Sequence, residues 1–240
     1  MHRFFLEKNY ADKLLITGTD AKHIAKVLRM KVGDKLQLAL DDGIICEAEI
    51  ANLSENEIEV SPQKIITEPH EAKISVTLAQ GLAKGDKMDF VIQKAVELGA
   101  KKIIPLALEH SVVQLDNERA EKKVERWQKI AEAAAKQSKR DTVPKISPIS
   151  TLQEIFSGTY DLILLAYEGE NKTSLKSVLE KSDAKNILLI IGSEGGFSEK
   201  EINFALASNA QSVSLGRRIL RAETAGMVAL SCIFYEKDSI

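Results

Sequence analysis

Two short stretches near the C-terminal end hold the residue types that do chemistry. The first, Leu215-Gly-Arg-Arg-Ile-Leu-Arg-Ala-Glu-Thr-Ala-Gly226, places three arginines and a glutamate between an alternating run, Gln211–Leu215, and a strongly apolar one, Met227–Tyr235. A guanidinium aimed at a developing anion stabilises it electrostatically, and a nearby carboxylate can take a proton. Arg221, just before an apolar helix, and Glu223 are the candidate pair. Arg217 and Arg218 also read as solvated loop charges. Gly216 permits a sharp turn or a close ligand approach, and Ile219 with Leu220 can wall an apolar slot.

The second stretch, Leu188-Leu-Ile-Ile-Gly-Ser-Glu-Gly-Gly-Phe-Ser198, runs an apolar strand into Gly192, Gly195 and Gly196. A helix then opens at Ser198-Glu-Lys-Glu201, the pattern of a capping box. Strand, glycine loop and helix N-terminus together suit a small molecule. The spacing matches neither common nucleotide-binding glycine motif, and Glu194 would repel a pyrophosphate. A neutral or cationic ligand held by backbone groups fits better. Read alone, the loop also fits a tight strand–helix connection with Glu194 in solvent.

The elements that must position these stretches follow an α/β pattern. From Lys73 onward, strands are predicted at Ile74–Ala79, Lys102–Ala107, Leu162–Tyr167, Asn186–Ile191 and Ser212–Leu215. Helices are predicted at Lys87–Leu98, Glu118–Lys139, Ser174–Leu179, Glu199–Ser208 and about Thr224–Glu236. Such alternation implies a mostly parallel sheet covered on both faces, with ligands beyond the carboxyl ends of its strands. Trp127 shares an apolar stripe with Val124 and Ala131 and reads as core.

Residues 1–70 read differently. Lys35–Leu40 and Ile44–Ala51 flank Asp41-Asp42-Gly43, a hairpin signal, and Glu57–Ile66 alternates as a further strand. A helix is expected over Ala21–Met30, capped by Thr19 or Asp20. Its Ile24, Val27 and Leu28 share one face, and Lys22, Lys26 and Arg29 the other. The pattern describes a small β-barrel with an embedded helix, followed by a linker at Thr67–Ala72 and a second domain over 71–240.

Composition bounds the function. The net charge is −2; residues 1–71 carry 9 basic and 13 acidic side chains, the remainder 24 and 22. A polyanion would therefore be held by local clusters and not by an overall field. An apolar run such as Ile187–Ile191 is too short to cross a bilayer, and the N-terminus lacks a signal-peptide pattern. Cys46 and Cys232 read as reduced packed side chains. The four histidines show no ligand spacing, so no metal is expected. The expected compartment is the cytoplasm.

The two C-terminal stretches in tandem resemble those of the SPOUT superfamily of RNA methyltransferases, in the branch that makes N3-methyluridine in 16S rRNA. The likeness extends along nearly the whole chain. It includes Arg3-Phe4-Phe5, His23-x-x-x-Val-Leu-Arg29, Lys84-Gly-Asp-Lys-Met88, Gln93-Lys-Ala-Val-Glu-Leu-Gly99, and Glu132-Ala with Gln137-Ser-Lys-Arg140. Ser193, Lys136 and His110 depart from the family's usual Pro, acid and Arg. The resemblance implies a C-terminal sheet domain with a deep trefoil knot and an N-terminal PUA-like barrel. It implies S-adenosylmethionine held by Leu165 and Ala166, by Gly192, Glu194 and Gly195, and by Leu215, Gly216, Ile219, Leu220 and Arg221. It also implies a homodimer packed through the knot.

The implied partner is 16S rRNA or the small ribosomal subunit, met by Arg3, Lys22, His23, Lys26, Arg29, Gln137 and Arg140. Phe4 and Phe5 are more often core than base platforms. Two rivals are a non-catalytic RNA-binding module and a nucleotide-dependent oxidoreductase. The first has no use for both loops, and the second lacks its phosphate-cradling motif.

Overall fold

A computed structural model describes residues 1–54, 56–66, 71–111 and 117–238. Thr67–His70, most of the expected linker, lie outside the described residues. The chain divides into two compact units, Met1–Glu71 with Ala135–Val143, and Ala72–Ala134 with Pro144–Ile240.

The first unit is built on β1 (Arg3–Leu6), β2 (Leu14–Thr17), β3 (Lys35–Leu40), β4 (Ile45–Leu53) and β5 (Glu57–Ile66), in the order β1-β3-β4-β5-β2. The β1–β3 pair is parallel and the others are antiparallel. Leu36, Leu38, Ala48, Ile50, Ile58 and Val60 are buried, while Gln37, Glu47, Glu49 and Glu59 between them are partly exposed. This two-residue period puts one face of each strand on a shared core. The expected hairpin is present: Gly43 has φ 80°, and the Asp42 carboxylate accepts from the Ile44 amide at 3.2 Å.

The embedded helix differs from expectation. It begins as α1 (Gly18–Lys22) after Thr17, whose side chain makes no cap bond, so neither Thr19 nor Asp20 is the cap. Over His23–Val27 the turn widens, with the Leu28 amide bonded to the His23 carbonyl at 2.9 Å. A widened turn changes the residue period. Ile24 stays buried while Val27 swings out to 68% exposure. The element ends at Val27, three residues before the expected Met30, and Arg29 follows at φ 52°.

Arg3 and Arg140 correct the expectation that they meet RNA. The Arg3 side chain is fully buried. Its guanidinium donates to the Lys139 and Arg140 carbonyls at 2.6 and 3.0 Å, to Asp141 at 2.7 Å and to Gln37 at 3.1 Å. These bonds satisfy carbonyls just past the end of a helix, where a cation is favoured. Arg140 grips Glu71 with two parallel bonds, 2.9 and 2.6 Å long. Neither guanidinium presents charge at the surface. Phe4 is core and lies under Lys136, whose Nζ is 5.8 Å from the ring centroid.

Burial pushes the Glu71 carboxyl up, but the bonds and charge of Arg140, with the amides of Thr142 and Asp141, outweigh it and hold the group below its ordinary value. A carboxylate depressed on folding contributes stability above its unfolded pKa, lost as pH falls through the folded one. Arg140→Met should therefore flatten the acid limb of stability against pH. It should cost about 3 kcal/mol at neutral pH, the low end for a broken buried pair, because Glu71 stays one-fifth exposed. Urea titrations between pH 3 and 7 measure both.

The second unit is a six-stranded sheet, all its pairs parallel. Its elements run β6 (Ser75–Gly81), α2 (Lys87–Glu97), β7 (Lys102–Leu106), α3 (Asn117–Gln137), β8 (Lys145–Ile146), α4 (Leu152–Ile155), β9 (Leu162–Ala166), α5 (Leu175–Leu179), β10 (Asn186–Ile191), α6 (Glu199–Ala207), β11 (Gln211–Val213) and α7 (Ala222–Asp238). The strand order is β11-β9-β10-β6-β7-β8. Ile187–Ile191 are all buried, as an apolar run covered on both faces requires. Leu188 and Ile190 pack towards Leu152, Ile155 and Ala205. On the other face α7 lies against β6 and β10, with α2 and α5 beside it. Gly226 allows that approach, since a Cβ there would stand 2.8 Å from Gln80 Oε1. Trp127 is buried as expected, its indole N–H donating to Asp89 at 3.2 Å.

Candidate active site

Three loops leave the carboxyl ends of neighbouring strands β9, β10 and β11 and enclose a cleft of about 650 Å³. It is lined by Ala166–Glu168, Ile191–Phe197 and Val213–Glu223, with Lys87 and Ala225. A parallel sheet is expected to present its ligand site at this edge. The Ser198/Glu201 capping box starts α6 as the sequence suggests and fixes where the glycine loop ends.

The Gly192–Gly196 loop is tight. The Gly196 amide bonds the Ser193 carbonyl at 3.0 Å, and Gly196 has φ 72°. A Cβ on Gly195 would stand 2.9 Å from both Cβ and O of His110, whose ring nitrogen lies 3.1 Å from the Gly195 carbonyl. Gly81, at the end of β6, is equally constrained: a Cβ there would lie 2.3 Å from the Ser193 amide nitrogen. Gly81 is not among the residues the sequence singles out, because one glycine ending an apolar strand carries no local signal.

The structure brings together Ala166, Gly192, Glu194, Gly195, Leu215, Gly216, Ile219, Leu220, Arg221 and Glu223, all lining the cleft. Leu165 is a correction. It is fully buried in the core cluster beneath the sheet, and Tyr167 and Glu168 line the cleft after Ala166. Ile219 lines the cleft at its rim, where it is 86% exposed.

Arg217, Arg218 and Arg221 are exposed. Among the described residues, no carboxylate pairs with any of the three. The Arg221 carbonyl accepts from the Ala225 amide at 2.8 Å, which anchors the backbone but not the guanidinium. The Arg221 guanidinium is thus exposed at the rim of the cleft.

Lys87, absent from the sequence-based site, opens α2 inside the cleft. Its Nζ is bonded to Glu194 and lies 3.6 Å from Glu223 Oε1. The Lys87 hydrogen bond holds the Glu194 carboxyl below its ordinary value, and in return Glu194 raises the lysine. The other Glu223 oxygen, Oε2, is shut from solvent and has no hydrogen-bond partner among the described residues. The motif Lys84-Gly-Asp-Lys-Met88 was the available signal, although nothing in it pointed to this cleft. Behind the cleft, the Ser212 hydroxyl and then the Thr173 and Lys172 amides lower Glu170 to about 2, tying the loop after β9 to β11.

In the first unit Lys22, His23, Lys26, Arg29 and Gln137 are exposed. Asp20 nearby pairs with Lys136 at 2.6 Å. Among the described residues no group of His, Cys, Asp and Glu has the arrangement of a metal site, and no helix is long and apolar enough to cross a membrane.

Residues 70–234 match the RNA methyltransferase domain model, and residues 16–63 match the RNA methyltransferase PUA domain model. Parallel sheet, three-loop cleft and PUA-type module together define an RNA methyltransferase. The ribosomal RNA small subunit methyltransferase E of Bacillus subtilis is 36% identical over 99% of this chain and 98% of its own length. The same enzyme from Neisseria gonorrhoeae, solved bound to S-adenosylmethionine, superposes with TM-score 0.86 at 32% identity over 98% of this chain and 97% of that one. A methyltransferase from Legionella pneumophila, solved with the same cofactor, gives 0.87 at 30% identity over 97% and 96%. The chain belongs to the ribosomal RNA small subunit methyltransferase E family.

Proposed function

We propose that this protein transfers a methyl group from S-adenosylmethionine to N3 of a uridine in 16S rRNA. The observation that carries the reading is the cleft itself. It combines glycine backbone, carboxylates and exposed arginines at one sheet edge. The cofactor has no phosphate and carries a cationic sulfur, so carboxylates that would repel a nucleotide suit it. Gly192, Glu194 and Gly195, with Ala166, Leu215, Gly216 and Leu220, would hold it. Bound there, it supplies an electrophilic methyl group.

The protein's own residues must then prepare the nitrogen. The uridine imide is slightly more acidic than a tyrosine hydroxyl and is mostly protonated at neutral pH. Its lone pair becomes available only when the proton leaves. The Glu223 carboxylate takes the proton, and Arg221, reaching over the rim, stabilises the anion through the base oxygens. Mass mapping of 16S rRNA after incubation with protein and cofactor tests the reading. One methyl on uridine N3 is expected; a methyl on a ribose or another base atom would refute it. Titration with S-adenosylmethionine should give heat, and titration with NADH none.

RNA is gripped by the first unit through Lys22, His23, Lys26 and Arg29, with Gln137 adjoining. Lys26→Ala with Arg29→Ala should weaken RNA binding and lower the salt slope by about one to two units, since each phosphate that loses its cation removes close to one. Cofactor affinity should hold. Filter binding between low and moderate salt measures it, and an unmoved slope would return the helix to ordinary solvated surface. We further propose that the protein works in the cytoplasm as a knotted homodimer. Exposed Tyr235 and Phe90 support a second copy.

A further inference from the structure

One cation in the cleft answers to two carboxylates. Lys87 Nζ bonds Glu194, which sits in the glycine loop, and lies 3.6 Å from Oε1 of Glu223, which opens α7. Among the described residues it is the one cation within ion-pair distance of Glu223. The groups lining the cleft around that carboxylate are Lys87 from α2, Glu194 after β10, Glu168 after β9, and Arg217, Arg218 and Arg221 before α7. Lys84 adds positive charge beside Glu194. A carboxylate drawn by one oxygen towards a fixed cation has its second oxygen oriented by default. That second oxygen, Oε2, is the buried atom without a partner among the described residues.

We propose that Lys87 is a positioning residue for methyl transfer, drawing Glu223 by Oε1 so that its carboxylate is held at the cleft to receive the imide proton. The inference rests on the reading of Glu223 as the base. In the step it serves, the N3–H bond breaks, its electron pair stays on N3, and the proton forms an O–H bond on the Glu223 carboxylate. Lys87 keeps its own three protons throughout. By binding Glu194 as well, it fixes the glycine loop and the base to a common point, so a shift of one loop is felt by the other.

The test is single-turnover methyl transfer across pH, with saturating cofactor, in Lys87→Met, Lys87→Gln, Lys87→Arg and Glu223→Gln. Lys87 is one-third exposed, so the folded state should survive, which thermal unfolding would verify. Without the cation the carboxylate loses its anchor. In Lys87→Met and Lys87→Gln the transfer rate should fall by about tenfold to a hundredfold, the scale for a misplaced catalytic group, and the deficit should shrink as pH rises, because alkali ionises the imide without the base. Lys87→Arg should return most of the rate. A deficit that stayed the same at every pH, or no rescue by arginine, would overturn the positioning role. If Glu223→Gln turned over normally, the base assignment itself would fall, and this inference with it. A slow Glu223→Gln beside a Lys87→Met of parental rate would remove only the lysine's role.

Discussion

Glu223→Gln should lower the single-turnover rate by about 10² to 10⁴, the range for losing a general base. The substitution keeps the shape of the side chain and removes its capacity to accept a proton. Glu223 lies in the first turn of α7, where a carboxylate gains about 0.3 to 1 kcal/mol from the helix dipole, so the change should cost about that much stability. S-adenosylmethionine affinity, measured by calorimetry, should change by less than about threefold, since the residue is assigned to the nucleophile and not to the cofactor. Raising the pH should restore much of the lost rate, because alkali ionises the imide without help. A variant that turned over within a few fold of the parent at neutral pH would remove Glu223 from the reaction.

Arg221→Ala should slow transfer by about 10² to 10³, the scale for removing one transition-state donor. Rigidity in the free protein is not the cause. The guanidinium is exposed there and pairs with no carboxylate among the described residues, so its direction must come from the bound base. Arg221→Lys should then recover only part of the rate, because an ammonium cannot match two oxygens as a planar fork does. High pH should rescue Arg221→Ala only partly, since an ionised imide still lacks its stabilising charge. Arg217→Ala and Arg218→Ala should weaken RNA binding at most. Loss of cofactor affinity alone in Arg221→Ala would show that the arginine serves the cofactor instead.

The strands and helices of the second unit were legible because each carries its own period. Asn186–Ile191 is found at the expected bounds, and the α6 cap is found as written in Ser198 and Glu201. What escaped were elements whose cause is distant. β1 is four residues with no alternation, and it pairs with β3, which lies far along the chain. β8 and α4 are too short to show a period. The candidate site divides the same way. Gly192–Gly196 and Leu215–Glu223 stand in the sequence as compact stretches. Lys87 joins the cleft, and Gly81 packs against its glycine loop, only because β6 runs beside β10 in the sheet. Arg3 and Arg140 misled for a related reason: a charge's partners cannot be read from its neighbours in sequence, and theirs proved to be protein groups.

The first unit's boundary has a consequence for how the chain matures on the ribosome. That unit includes Ala135–Val143, and the carboxylate of Asp141 and the carbonyls of Lys139 and Arg140 are what Arg3 binds. An emerging chain that ended at Glu71 would thus hold a strand whose arginine lacks these partners, and a Glu71 without its guanidinium. Burying an unpaired charge is strongly unfavourable, so the N-terminal barrel should stay incomplete until residues 135–143 have left the exit tunnel. By then β6, α2, β7 and the whole of α3 have also emerged, although β9, β10 and β11, which lead into the cleft, have not. The first unit, although written first, is therefore completed in the middle of synthesis, at a single late closure that joins residue 3 to residue 141.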